Sequence, residues 1–396
     1  MPHNLPCQIT SGCDPVKSQC RSEKAEEKMR KIIYFILLIL ILFQASCSFI
    51  SEKHFHVLQN ILSENITKTI IPASFLNKAS KQQEDTCNFF AMDTYMQITV
   101  YGPEARSLSA LAQKEILRLD ALLACQQPES EVTALNRSRS MILSADTAFV
   151  IKKALQVHQE TNGSFNITLA PLSSLWGFPN GPYRIPSPEE RKEALKKTGA
   201  EFIFLDPKTR SCELRKPGLS IDLGGIGKGY ASEQAIKLLK AGGVTSALLN
   251  LGGNIQTIGK KPDGSPWNIA VRHPDIVNSY LGILAIDNAA VVTSGDYERF
   301  FVQNGKRYHH ILDPKTGSPT QNGLRSITVV CPDGVLADAL STALFVMGLH
   351  KAISYWQTHK NEFQLLLYGA DGSLYITENL AASFSNTENL PLHILK

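Results

Sequence analysis

Between residues 87 and 390 apolar side chains recur with two periods, and the segments that carry them follow no regular order. Ala105 to Leu123 sets Leu108, Leu111, Ile116, Leu119 and Leu122 at helical spacing, the stripe that an amphipathic helix buries. A second helix fits Asp146 to Gln159 and stops at Asn162-Gly163, a normal stop signal. Ser187-Pro188-Glu189-Glu190 opens a third, running to about Lys197, because proline is pre-set for the first helical turn. Ala231 to Leu239 predicts a short helix closed by Gly242-Gly243, and Leu336 to Met347 a mostly apolar one.

Strand patterns fit Phe89–Tyr101, Ser246–Leu251, Trp267–Val271, Leu281–Ile286, Ala290–Thr293, Arg299–Val302, Leu324–Val330, Glu362–Gly369 and Leu374–Ile376. Strands and helices do not alternate, so the pattern predicts an α+β fold rather than a doubly wound sheet. No repeat or long linker divides residues 87–390, which predicts one continuous catalytic unit.

The start of the chain reads differently. Residues 1–28 are polar and carry Cys7, Cys13 and Cys20; they are read as an upstream extension, with Met29 as the true start. Residues 29–47 have the order of a signal peptide: Met29-Arg30-Lys31, an apolar run from Ile32 to Phe43, then Gln44-Ala45-Ser46-Cys47. The apolar run is short for a spanning helix. Cys47 after Ala45-Ser46 resembles a bacterial lipoprotein cleavage site, where the cysteine receives lipid (palmitate), although Gln44 stands where that pattern prefers Leu. A plain secretory signal or an uncleaved anchor also fits. Residues 48–86 read as a polar tether.

Composition adds limits. A chain with 43% hydrophobic and 19% charged residues is that of a folded protein, and a net charge of +4 with scattered basic residues excludes a nucleic-acid partner. Cys87, Cys125, Cys212 and Cys331 show no CxxC spacing, which argues against zinc. An exported location permits disulfides, but nothing selects a pairing, and buried thiols fit equally.

Asp222-Leu223-Gly224-Gly225-Ile226-Gly227-Lys228-Gly229-Tyr230 is the densest motif. Glycines let the backbone turn sharply and approach a ligand, and a helix start offers unpaired N–H groups to anions. The run lacks the Ser or Thr of a Walker motif after Gly-Lys, and its glycine spacing is wrong for a dinucleotide fingerprint. Phosphate-bearing cofactor and tight structural turn both remain open, as do phosphate contact and solvent exposure for Lys228. Asp338 and Thr342 stand four apart on one face of an apolar helix, two oxygen groups suited to magnesium. Thr342 bonding back to the Asp338 carbonyl, with Asp338 capping or pairing elsewhere, is the alternative. His309-His310-Ile311-Leu312-Asp313 follows an aromatic, basic strand; a histidine here can move a proton near neutral pH, and only one of the pair faces a cleft if the strand continues. Trp176-Gly177-Phe178 fits either stacking on a planar ring or wedging a loop against the core.

Taken in order over about residues 87–385, these segments resemble the bacterial FAD:protein FMN transferases, the thiamine-biosynthesis-lipoprotein-like ApbE family. The matching stretches are Met92-Asp93-Thr94, Ser130-Glu131-Val132 with Leu135-Asn136, Gly163-Ser164-Phe165-Asn166-Ile167-Thr168, and Pro171-Leu172 with Trp176-Gly177-Phe178. Asp222–Tyr230, Asn250-Leu251-Gly252-Gly253-Asn254, Thr293 to Arg299, Tyr308 to Gly317 and Ala337 to Thr342 follow. The resemblance implies that FAD is split at its diphosphate, FMN passes through a phosphoester to a threonine or serine hydroxyl of a target protein, and AMP leaves. Some relatives hydrolyse FAD to FMN and AMP instead. Implied partners are exported or membrane-associated flavoprotein subunits of respiratory electron-transfer complexes, sodium-pumping quinone reductases among them. The implied location is the inner membrane, lipid-anchored and facing the periplasm.

The resemblance also assigns residues. Asp338 and Thr342 resemble side-chain ligands of Mg2+, with the Gly225 carbonyl as a backbone ligand. Met92, Ser164, Phe165, Asn166, Asp222, Lys228 and Arg325 match FAD-contacting positions, and His310 matches the functional histidine, with Asp313 as helper or turn residue. Four departures stand out: Asp93 for glycine, Asn166 for aspartate, Ile167 for proline and Gly227 for alanine. Asp93 and Asn166 keep a non-catalytic flavin carrier open as an alternative.

Overall fold

The computed structural model describes residues 83–178 and 181–396, all within one compact unit, Ser80–Lys396. The upstream extension, the signal-like segment with Cys47 and nearly all of the tether lie outside the described residues. No helix among the described residues is long and apolar enough to cross a membrane.

A nine-stranded sheet forms the middle layer, in the spatial order Glu84–Ala91, Thr94–Tyr101, Ser246–Leu251, Asn254–Ile258, Ala290–Gly295, Leu324–Cys331, Gln364–Gly369, Leu374–Thr377 and Leu392–Leu395. Spatial order equals chain order, and every neighbouring pair is antiparallel except the last. The helices Ala105–Leu123, Gly227–Ala241 and Gly334–Met347 cover one face, burying Met96, Ile98, Ile116, Leu119, Leu249, Ile327 and Leu340 between them and the sheet. Burying each such side chain stabilises the fold by about 1.5–3 kcal/mol. A smaller sheet of Trp267–Arg272, Tyr280–Ile286 and Phe384–Ser385 covers the other face through Trp267, Leu284, Val291 and Leu366. Strand Leu324–Cys331 is buried on both faces, Val329 toward the helices and Val330 toward the small sheet. The α+β architecture matches the one read from the sequence.

Several boundaries differ, each for a local reason. The stretch read as one strand, Phe89–Tyr101, is a hairpin that turns at Met92 and Asp93, with φ of 48° and 57°. Such turns normally announce themselves with Gly or Asn, and neither is present. Gly252 and Gly253 (φ 64° and 88°) make a similar turn into Asn254–Ile258, a strand not foreseen. The helix expected from Ala231 begins at Gly227, inside the glycine motif. Pro188–Leu195 stops short of Lys197, although its capping box between Ser187 and Glu190 is formed. Glu131–Ser138 and Leu349–Gln357 are helices too short to show a clear period in sequence. The sheet begins at Glu84 and ends at Leu395, outside the 87–390 span. Cys87, Cys125, Cys212 and Cys331 are all free thiols.

Candidate active site

The helix Gly227–Ala241 has no side-chain cap of its own. Its first-turn amides turn instead to Asp338, in the middle of Gly334–Met347: Gly229 N–H donates to Asp338 Oδ2 at 2.8 Å, and the Lys228 amide also favours the charged carboxylate. Glycine is required for this approach, since a Cβ on Gly229 would stand 2.3 Å from the Gly334 carbonyl oxygen and 2.7 Å from Asp338 Cβ. The anion that this helix start holds is therefore a protein carboxylate. Burial pushes the Asp338 carboxyl above its ordinary range, against the opposing pull of Lys228 and the two amides.

Because Gly229 N–H goes to Asp338, it does not close a helical bond to the Gly225 carbonyl. Gly225 lies against Thr342 and Phe165, whose Oγ1 and Cε2 would be 3.6 and 3.2 Å from a Cβ placed there. Thr342 does not bond back to the Asp338 carbonyl; Ser341 takes that acceptor at 2.8 Å. One carboxylate, one hydroxyl and the Gly225 backbone thus line the cavity where two helices and the glycine loop meet. Among the described residues no group of three His, Cys, Asp or Glu side chains could hold a metal, so the oxygens this site offers a cation beside the Asp338 carboxylate are those of hydroxyl and backbone. A hard divalent ion such as Mg2+ suits that donor set, being commonly held by one or two carboxylates together with substrate phosphates.

This cluster opens into a cavity of about 1020 Å³, at the upper end of the range for small-molecule and cofactor sites. Met92, Ser164, Phe165, Asn166, Asp222, Gly225, Lys228, His310, Asp338 and Thr342 all line it. Arg325 does not: its guanidinium donates to Asp296 and Asp275, both at 2.7 Å. It sits at a pairing irregularity between Leu324 and Ser326, where a bulge re-aims a side chain. Arg299 lines the cavity instead, and neither it nor Lys228 forms an ion pair among the described residues.

Of the two histidines, His309 is buried and its Nε2–H donates to the Thr320 carbonyl at 2.9 Å, while His310 faces the cavity. The His310 Nδ1–H donates to the Arg299 carbonyl at 3.2 Å, which fixes the tautomer and leaves the Nε2 lone pair free. Burial first, then the charges of Arg299 and nearby groups including Lys228, push its pKa down to about 3. Asp313 is a turn residue, accepting from Lys315 N–H at 2.9 Å and the Thr316 hydroxyl at 3.2 Å. Trp176 is a wedge, fully buried with its indole N–H on the Gly317 carbonyl, and Phe178 meets the His310 ring edge-on at 6.3 Å.

The departures find places as well. Asn166 uses only Oδ1, which accepts from Thr168 N–H and hydroxyl at 2.9 and 2.7 Å, so the amide holds this turn as an aspartate would. Asp93, Asp120 and Asp222 all line the cavity. Cys125 lines it as well, its thiol pushed up to about 12 by burial and then by Asp222. In the sequence Asn254 and Arg299 stand only within longer matching stretches; their position against the cavity is set by the Gly252-Gly253 turn and by the strand before His310.

The profile of the ApbE family matches residues 92–367. The FAD:protein FMN transferase of Salmonella typhimurium is 33% identical over 272 residues, covering 66% of this chain and 78% of its own length. The crystal structure of the ApbE protein from Thermotoga maritima superposes with a TM-score of 0.71 at 33% identity, over 76% of this chain and 99% of that one. The Pseudomonas stutzeri flavinyl transferase ApbE, in its apo form, gives 0.68 at 30% identity, over 76% and 97%.

Proposed function

This chain belongs to the ApbE family, and on that premise we propose that it is an FAD:protein FMN transferase. The observation that carries the proposal is the convergence, in one cavity, of the Asp338–Thr342–Gly225 oxygen cluster with the free Nε2 of His310. Asp338, Thr342 and the Gly225 carbonyl would hold Mg2+, which supplies charge neutralisation for the diphosphate and its leaving group. Lys228 and Arg299, cations on the cavity wall without an ion-pair partner among the described residues, bind diphosphate oxygens. Phe165 and Phe178 give the cavity apolar wall that excludes water from the reacting phosphorus.

The acceptor is a threonine or serine hydroxyl of a target protein. Its oxygen forms the new bond to the FMN phosphorus as the bond to the AMP phosphate breaks, and its proton passes to His310 Nε2. Burial and the neighbouring cations Arg299 and Lys228 hold His310 toward its neutral form, which keeps the Nε2 lone pair available. Bonding to phosphorus makes the hydroxyl more acidic, which eases its transfer of the proton to a positioned histidine.

The target is proposed to be an exported or membrane-associated flavoprotein subunit of a respiratory electron-transfer complex, reached from a Cys47 lipid anchor on the periplasmic side of the inner membrane. Support for export and the anchor lies in the order of residues 29–47, and support for the target class in membership of the family. The mass of the mature N-terminus tests the anchor. For the activity, the protein is incubated with FAD, Mg2+ and acceptor protein. Covalent gain of FMN on an acceptor threonine or serine, with release of AMP, is the expected result. FMN and AMP without labelling would make it a hydrolase, and intact FAD would make it a carrier.

A further inference from the structure

A buried amide that forms no hydrogen bond among the described residues lines the cavity that holds the oxygen cluster. Asn254, the first residue of Asn254–Ile258, is 1% exposed and lines the cavity. Neither its Oδ1 nor its Nδ2 forms a hydrogen bond. Gln256, two residues on and on the same face of the strand, shows the ordinary solution: its Oε1 accepts from Ser232 at 2.7 Å and its Nε2 donates to Glu233 at 2.9 Å. Buried polar groups are normally paired because leaving them open is costly. The position is not slack, since the Asn250 side chain accepts from Gly253 N–H at 2.9 Å and holds the turn that presents Asn254.

Asn254 and Asp338 line the same cavity, and the Asn254 amide lies close enough to favour the charged form of the carboxylate while falling outside hydrogen-bond geometry. Only the NH2 end of an amide can do that, so Oδ1 is left as an acceptor on the cavity side. An ion such as Mg2+ or Mn2+ held by a single carboxylate keeps several bound waters, and those waters are donors that need acceptors.

We propose that Asn254 is a positioning residue of the cation site: its Nδ2 orients the Asp338 carboxylate, and its Oδ1 accepts from a water molecule carried by the divalent ion. This inference rests on the reading of Asp338, Thr342 and Gly225 as the ligands. A second-shell group of this kind sets metal affinity without touching the ion, and the amide is kept open in the fold for that purpose.

The test titrates Mn2+ into the full-length, FAD-free protein, following free Mn2+ by its spin-resonance signal, and records the melting temperature without ion. Asn254→Leu and Asn254→Ser are each expected to bind Mn2+ about 10-fold more weakly or worse. Asn254→Leu is expected to melt no lower than the parent without ion, because it removes a buried amide that forms no hydrogen bond among the described residues; Asn254→Ser guards against a clash from the bulkier side chain. Weakening of less than about 10-fold in both variants, or a lower ion-free melting temperature in both, overturns the proposal. Asp338→Ala separates the two levels: if it abolishes Mn2+ binding while the Asn254 variants bind normally, only this inference fails. If it binds Mn2+ as the parent does, the reading of the cation site fails with it.

Discussion

Gly229 N–H donates to Asp338 Oδ2 at 2.8 Å, so a carboxylate in the middle of one helix caps the start of another. The amides of a helix N-terminus carry partial positive charge and favour an anion. That interaction keeps a nearly buried carboxylate usable as a ligand, although burial alone drives it toward protonation.

Gly229→Ala is expected to destabilise the protein by about 1–3 kcal/mol, because the new Cβ meets the Gly334 carbonyl at 2.3 Å. Gly227→Ala meets nothing within 4 Å and is expected to be neutral or to stabilise the helix by up to about 1 kcal/mol. Urea unfolding of the two variants checks the contrast; similar free energies would show that the two helices can separate.

Asp338→Asn should cut FMN transfer on the order of 10²-fold or more while leaving the ion-free protein as stable or more so. The folded state holds this carboxyl above its ordinary range, so its charge opposes folding at neutral pH, and a neutral amide relieves that cost while still accepting from Gly229. A melting temperature well below the parent's would mean that the charge is structural.

His310 is displaced from its ordinary 6.5 to about 3 in the folded protein. Between those values the unfolded chain binds more protons, so this contribution to stability is complete above about 6.5 and is lost as the pH falls. His309 is shifted in the same direction by burial. His310→Gln should therefore lose less stability than the parent between pH 7 and pH 5, and should slow FMN transfer by roughly 10²–10⁴-fold. Equal acid losses in urea unfolding would contradict the assignment.

Asp93→Gly is expected to stabilise the hairpin by about 1 kcal/mol, since Asp93 holds φ 57° next to Met92 at 48°. It also removes a negative charge from the cavity wall, so FAD should bind more tightly, and the gain should shrink with salt. Calorimetric titration at two salt concentrations reads both effects; weaker FAD binding would give Asp93 a contact of its own with the flavin nucleotide.

Long periodic segments were legible without the fold. Ala105–Leu123 and Ser246–Leu251 fall where the pattern puts them, because a full stripe or a bounded apolar run carries its period in a single window. The Met92-Asp93 turn was not, because Asp93 is followed by Thr94 and not by the glycine that usually marks such a turn, and the two strands read as one. The start of Gly227–Ala241 was not, because two of its first three residues, Gly227 and Gly229, argue against helix until the neighbouring helix is in place.

The same division holds for the site. The residues of the glycine motif, the Asp338/Thr342 pair and His310 were determined by local sequence: their types, spacings and order suffice to name the chemistry. Tertiary structure decided what each one faces. It turned the helix amides to Asp338 instead of to a phosphate, took Arg325 to Asp296 and Asp275, and left Asn254 open beside the carboxylate. Residue type and period are properties of a segment, but a hydrogen-bond partner is fixed only when segments distant in the chain are packed within 3 Å of each other.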